Sequence, residues 1–201
     1  MPLDSLILLA ALWALYFGFH SLLATDGIKV RVKQSSPALY RWYRLVYNLF
    51  AGAGFLAILL YGGFIGSDPV FVPPGWLRYA GLMVAAWGVI ICRISFKNYS
   101  LATFIGLSDQ KDEDEALVTT GILSYVRHPL YSGLILISLG YWLYLPNWTN
   151  LVTVASWWLY LPLGIWLEEK KLVKRHGMAY AEYKKRVPAL VPSPRRILKG
   201  D

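Results

Sequence analysis

Two short polar runs interrupt the long apolar blocks of this chain, and their residue types are those that pair with charged groups. Arg127-His128-Pro129, followed by Tyr131 and Gly133, supplies a guanidinium and an imidazole. Glu168-Glu169 supplies two adjacent carboxylates. Between them lie the apolar segments Leu130–Leu145 and Leu151–Leu167, joined by the short link Pro146-Asn147-Trp148-Thr149-Asn150. That arrangement predicts a helical hairpin inserted from one membrane surface. A hairpin brings its feet together, so Arg127, His128, Glu168 and Glu169 are expected as neighbours. Two readings stand at this point: a ligand site, or interfacial anchoring in which Arg and Glu pair at helix ends. Other chemistries lack their residues. No Gly-rich phosphate loop, metal-ligand spacing or nucleophile elbow is present, so no metal is expected. The single cysteine, Cys92, permits neither an internal disulfide nor a cysteine cluster and reads as a small buried apolar residue.

The elements that must position these groups read as membrane spans. Hydrophobic residues make up 56% of the 201 residues and charged residues 16%, against about a quarter charged in soluble domains. The apolar residues come in blocks long enough to cross a hydrocarbon core, which takes about 20 helical residues. The first block is Leu3–Leu23, read as an uncleaved span because no Lys or Arg precedes it. His20 near its inner end is expected to be a hydrogen-bonded packing residue, since a polar ring in a membrane needs a partner. Asp26–Val46 is a basic connector with Lys29, Arg31, Lys33, Arg41 and Arg44, and Pro37 is expected to start a short interfacial helix there. The second span is Tyr47–Ile65, whose Gly52, Gly54, Gly62 and Gly63 are expected to let helices approach closely. After the loop Gly66–Trp76, the third span is Leu77–Phe96, with Arg93 near its inner end. The acidic run Asp109–Glu115 reads as a solvated loop. Val118-Thr119-Thr120-Gly121 reads as a turn, and Pro129 suits the first turn of a new helix. Beyond the hairpin, Lys170–Arg186 reads as a surface helix and the tail from Val187 as a basic, Pro-rich segment lying along protein or lipid headgroups.

The expected fold is therefore an all-α integral membrane protein of five spans, the last two a hairpin, with a cytoplasmic C-terminal helix. The N-terminus lies outside. The net charge of +8 gathers in the connector and at the C-terminus, where it suits topology and anionic headgroups rather than nucleic acid. The partner it implies is the lipid bilayer.

The ordered elements LVTTGILSYVRHPLYSG and EEKKLVKRHGMAYAEYKKRVPALVP resemble the isoprenylcysteine carboxyl methyltransferase family of membrane enzymes. The likeness covers Leu117–Pro192. The earlier stretches FGFHSLLAT and YRWYRLVYN are similar to bacterial members near methanethiol methyltransferases. The resemblance implies S-adenosylmethionine as cofactor and transfer of its methyl group. It divides the chain into a three-span anchor, 1–98, and a methyltransferase-like part, 99–201. Carried over by position, Leu117 and Val118 would meet the adenosine part. His128, Pro129 and Tyr131 would lie against the cofactor, and Glu168, with Glu169 beside it, would meet its ribose or amino group. Gly133 would let the hairpin pass close to the cofactor, and Gly177 and Tyr180 would set a lid. Arg127 or Arg186 would orient an anionic substrate group as the catalytic cation. The implied acceptor is lipophilic, an isoprenylcysteine-like carboxylate, with a small thiol or a lipid as the alternative. A non-enzymatic scaffold or transport-associated protein is the competing class. The chain departs from the family in three respects: Glu115 and Ala116 stand near where a His is expected, Leu123 where a Tyr is, and Gly164 where a substrate-side Arg is. The cofactor wall thus has more of its residues than the substrate wall.

Overall fold

The computed structural model describes residues 3–98 and 116–193. The acidic run Asp109–Glu115, with the family departure at Glu115, and the end of the basic tail lie outside the described residues. Within them the fold is helical: α1 (Leu3–Leu23), α2 (Asp26–Ser35), α3 (Pro37–Ile65), α4 (Gly75–Ser95), α5 (Pro129–Tyr144), α6 (Trp148–His176) and α7 (Met178–Arg186). Short 3-10 turns cover Phe96–Asn98 and Gly121–Ser124. Among the described residues the only strand-like pairing is an isolated bridge between Pro69 and Asn147. Four helices, α1, α3, α4 and α6, are long and apolar enough to cross a membrane. The fifth, α5, is apolar but has 16 residues, a rise of about 24 Å at 1.5 Å per residue.

Two boundaries differ from the sequence reading. Pro37 does not open a separate interfacial helix; α3 runs unbroken from Pro37 into the second span. Its start is set by proline at N1 and by the Ser36 hydroxyl, which accepts from the Leu39 N–H at 3.4 Å. Likewise no new helix begins at Lys170. The hairpin's second arm continues through Glu168 and Glu169 to His176. It ends where Gly177 takes φ 56°, a left-handed value that side-chain-bearing residues rarely adopt. Good helix formers carry both helices beyond the apolar zone, Ala38, Leu39, Arg41 and Arg44 in α3 and Glu168, Glu169, Lys170 and Lys171 in α6, so leaving that zone does not end a helix.

Two compact units are built from separate stretches of chain. The first, over described residues 3–74 and 145–160, has a core of Leu9, Trp13 and Ile58. Trp13 is fully buried, edge-on to Tyr16, Phe55 and Trp157 and stacked on Phe17. Its indole N–H donates to the Thr153 hydroxyl at 3.2 Å. His20 pairs with the Tyr47 hydroxyl at 2.9 Å, and the Ser21 and Tyr160 hydroxyls meet at 2.7 Å.

The second unit, over described residues 75–98, 116–144 and 161–193, is built on antiparallel α4 and α5 in backbone contact. A Cβ added at Gly81 would stand 2.7 Å from the Gly140 carbonyl oxygen, and one at Gly88 would stand 2.5 Å from that of Gly133. Both glycine pairs repeat at seven residues, so two turns of each helix share one contact line. The close approach expected at the second span lies here instead. Gly52 and Gly63 have nothing within 4 Å of an added Cβ, and Gly54 and Gly62 make ordinary contacts of 3.5 Å or more. The line fixes α5, and α5 begins at Pro129, directly after Arg127 and His128.

Candidate functional site

Residues before α5, in the last third of α6 and on α7 meet in the second unit. The Arg127 and His128 backbone N–H groups donate to the carbonyls of Pro188 and Ala189, each at 2.9 Å. The Ser132 hydroxyl donates to Leu190 O at 2.6 Å. The chain after α7 is thereby strapped along the entry to α5. Arg127 strengthens the strap: its Nη1 donates to Lys184 O at 2.9 Å and Val187 O at 2.5 Å. A cation suits this place, because the last carbonyls of a helix lack intrahelical donors and carry its negative end.

Glu169 is the centre of the cluster. Arg127 Nε and Nη2 donate to its Oε1 at 2.9 and 2.6 Å. His128 Nε2 donates to the same oxygen at 3.2 Å, and Lys184 Nζ lies 2.5 Å from Oε2. The Glu169 side chain is 7% exposed. A carboxylate taken out of water is stable only when paired and hydrogen-bonded, and three cationic or donor side chains supply that here. Glu168 differs. Its side chain is 45% exposed, and its Oε2 faces His128 Nδ1 at 3.6 Å, beyond a direct hydrogen bond. One turn of α6 thus presents a buried carboxylate and a half-open one, with the buried His128 ring between them.

α7 lays one face against this cluster. Tyr180, Tyr183, Lys184 and Val187 follow the i, i+3, i+4, i+7 spacing of a single helical stripe. Tyr180, Tyr183 and Val187 are buried together, with Leu117 and Leu172 packed on them. The Tyr183 hydroxyl donates to Leu123 O at 2.6 Å. The Tyr180 hydroxyl is buried and has no hydrogen-bond partner among the described residues. Burial raises the Tyr180 phenol above its ordinary pKa. The Glu169 carboxylate adds to that, Arg127 opposes it, and Glu168 and Tyr183 add smaller contributions.

Of the residues singled out by sequence, Arg127, His128, Glu168 and Glu169 are brought together. Tyr131 stands in the first turn of α5, its ring 5.6 Å from that of His128. Pro129 is buried at the start of α5. Leu117 packs into the tyrosine cluster, and the adjoining Val118 is exposed. Arg186 is exposed, and its Nε reaches Glu182 O of its own helix at 3.4 Å. Gly133 faces Gly88 and Cys92 of α4. Sequence reasoning missed Lys184, one cation in a basic run. The signal that marks it is the helical stripe it shares with Tyr180 and Tyr183.

By sequence, the chain is similar to methyltransferases. The profile of the family described as phospholipid methyltransferase matches residues 76–179. The chain is 36% identical over 87 residues to the protein-S-isoprenylcysteine O-methyltransferase of Schizosaccharomyces pombe, covering 43% of this chain and 37% of that one. It is 28% identical over 149 residues to protein-S-isoprenylcysteine O-methyltransferase B of Arabidopsis thaliana, covering 74% and 76%. It is 41% identical over 76 residues to a methanethiol S-methyltransferase of Crocosphaera subtropica, covering 37% and 28%. The match to the fission-yeast and cyanobacterial relatives thus spans well under half of their length. No solved structure matches the chain.

Proposed function

Because the chain belongs to the phospholipid methyltransferase family, we propose that it is a membrane methyltransferase that takes S-adenosylmethionine and methylates a lipophilic acceptor at the membrane surface. The observation that carries this reading is the division of labour between the two adjacent acids. Glu169 is consumed in holding Arg127, His128 and Lys184 in one frame. Glu168 stands at the edge of that frame with a half-open carboxylate. An acceptor-only group there fits the cationic and hydroxyl-bearing parts of the cofactor.

When bound, the cofactor supplies an electrophilic methyl group on a sulfonium. The chain's own residues bind, orient and exclude water. Leu117 and Val118 would flank the adenosine part, His128, Pro129 and Tyr131 would line the side formed by α5, and Glu168 would take an ammonium or a ribose hydroxyl. Glu169 is a positioning residue in this reading. Arg127 directs four N–H bonds to Glu169 and to backbone carbonyls, so its role is also positional. The exposed Arg186 is then the cation available to an anionic substrate group.

An isoprenylcysteine-like carboxylate is the first acceptor class, and being ionised at neutral pH it needs no general base. A small thiol is the second. Gly164 favours it, since the family's carboxyl methyltransferases carry an Arg there, and so does the likeness to a methanethiol S-methyltransferase. The topology in this reading has five spans, α5 being the short one, with the N-terminus outside and the site cytoplasmic. The basic connector Lys29–Arg44 supports that orientation. The test is calorimetric titration of S-adenosylmethionine into the purified protein in detergent, beside Glu168→Ala and His128→Ala. Saturable binding weakened in both variants is expected. No binding by the parent protein overturns the function, and binding that survives both substitutions overturns the site. A methyl-transfer screen over prenylcysteine analogues, thiols and lipids then separates the acceptors.

A further inference from the structure

The buried phenol of Tyr180 has no place in the frame described above. Its neighbour on the stripe, Tyr183, spends its hydroxyl on Leu123 O at 2.6 Å. Tyr180 is 1% exposed, and its hydroxyl has no partner among the described residues. A buried donor without a partner is disfavoured, because it has lost water and gained nothing. Phenylalanine would fill the same space without that loss. The surroundings narrow what the oxygen could serve. Leu117, on the proposed adenosine wall, packs against the Tyr180 cluster. One turn further along α7, Lys184 reaches Glu169. Glu169, Arg127 and Glu168 all act electrostatically on the phenol.

We propose that the Tyr180 hydroxyl is a ligand-reading donor, which together with Glu168 recognises a ribose hydroxyl of the nucleoside cofactor. The proposal rests on the methyltransferase reading and goes beyond it by assigning the nucleoside end to a specific donor–acceptor pair. A phenol donates one hydrogen bond and a carboxylate only accepts. A ribose hydroxyl does both, so it can donate to Glu168 while accepting from Tyr180. The methionine carboxylate of the cofactor is a poor fit here, because the half-open Glu168 carboxylate would repel it. An adenine edge, with an accepting ring nitrogen beside a donating amino group, offers the same pair. A 2′,3′-dideoxy analogue of 5′-methylthioadenosine separates the two, since it should bind the parent protein more weakly and lose nothing further in Tyr180→Phe.

The test uses Tyr180→Phe, with Tyr183→Phe as the structural counterpart, in the full chain in detergent. Two quantities are read: the melting temperature without ligand, and the affinities for S-adenosylmethionine and 5′-methylthioadenosine, which keeps the ribose and lacks the amino-acid end. Tyr180→Phe should melt at or above the parent temperature without ligand, while Tyr183→Phe melts below it. Tyr180→Phe should also weaken both ligands by a similar factor, about tenfold for one lost hydrogen bond. Unchanged affinity in Tyr180→Phe overturns the proposal. So does a loss confined to S-adenosylmethionine, which would put the phenol at the amino-acid end. A ligand-free melting temperature that falls as far as in Tyr183→Phe also overturns it, by showing a structural bond. If the parent protein binds neither compound, the methyltransferase reading itself fails, a result separable from all of these.

Discussion

The two units solve the problem of polar groups among apolar helices in opposite ways. In the core of the first, side chains without a formal charge meet in pairs, Trp13 with Thr153 and Ser21 with Tyr160, and His20 stands against Tyr47. Aromatic rings fill the space around them. The second concentrates charge on one carboxylate and brings its helices into backbone contact through paired glycines. Neutral pairs cost little to bury and gain little. A shared buried charge is costly to build and costly to break. That contrast supports the proposal that the second unit holds the charged ligand, and substitutions can test it.

The largest effect is expected at Glu169. Replacing it with Ala leaves Arg127, His128 and Lys184 converging on no anion. Removing one partner of a buried ion pair costs about 3–5 kcal/mol, so thermal unfolding in detergent should show a large drop. Glu169→Gln should recover part of it by still accepting from Arg127. In the first unit only a large aromatic should compare: Trp13→Ala is expected to cost about 3–5 kcal/mol by cavity formation. Removing a neutral polar partner there, as in Tyr47→Phe, should cost about 1 kcal/mol. If Tyr47→Phe proves as damaging as Glu169→Ala, the contrast between the units is wrong.

Next comes the glycine line. Gly88→Leu would place side-chain atoms where Gly133 and Ile137 already stand, with about 1–3 kcal/mol or more of overpacking. Because α5 carries Pro129 at its start, binding of S-adenosylmethionine should weaken along with stability. Gly52→Leu is the counterpart in the first unit. Nothing lies within 4 Å of its added Cβ, and melting should barely move.

The polar core of the site was legible in sequence because it combines two rare events: Arg-His-Pro opening an apolar excursion and paired acids closing it. Contact lines were less legible. The glycines of the second span, Gly52 to Gly63, are more crowded in sequence than Gly81 and Gly88, yet the latter make the close contact. What mattered was the seven-residue spacing matched on α5 by Gly133 and Gly140, a pairing between helices that glycine frequency in one helix does not report. Helix ends at the membrane surface were misread for a different reason. Hydropathy marks where the apolar zone stops, whereas α3 and α6 are carried past it by residues with high helix propensity. Lys184 was hidden because charge alone does not separate one member of a basic run; its position on the tyrosine stripe of α7 does.

The smallest stability effect and the sharpest functional one are expected together at Glu168. Its carboxylate is 45% exposed and faces His128 at 3.6 Å, so Glu168→Gln should change stability by no more than about 0.5 kcal/mol, in the range of exposed pairs. The same substitution removes the charge proposed to face the cofactor. Hydrogen bonds to a charged group contribute about 1.5–3 kcal/mol, so affinity for S-adenosylmethionine should fall by about one to two orders of magnitude. Glu169→Gln should show the reverse proportion, with stability lost first and binding lost through it. Measuring melting temperature and affinity on both variants separates the acids: a ligand contact moves affinity alone, and a positioning residue moves both. If Glu168→Gln destabilises as much as Glu169→Gln and leaves affinity relative to stability unchanged, the two acids share one structural role. The charged cluster of the second unit would then be a brace for α7 rather than the edge of a site.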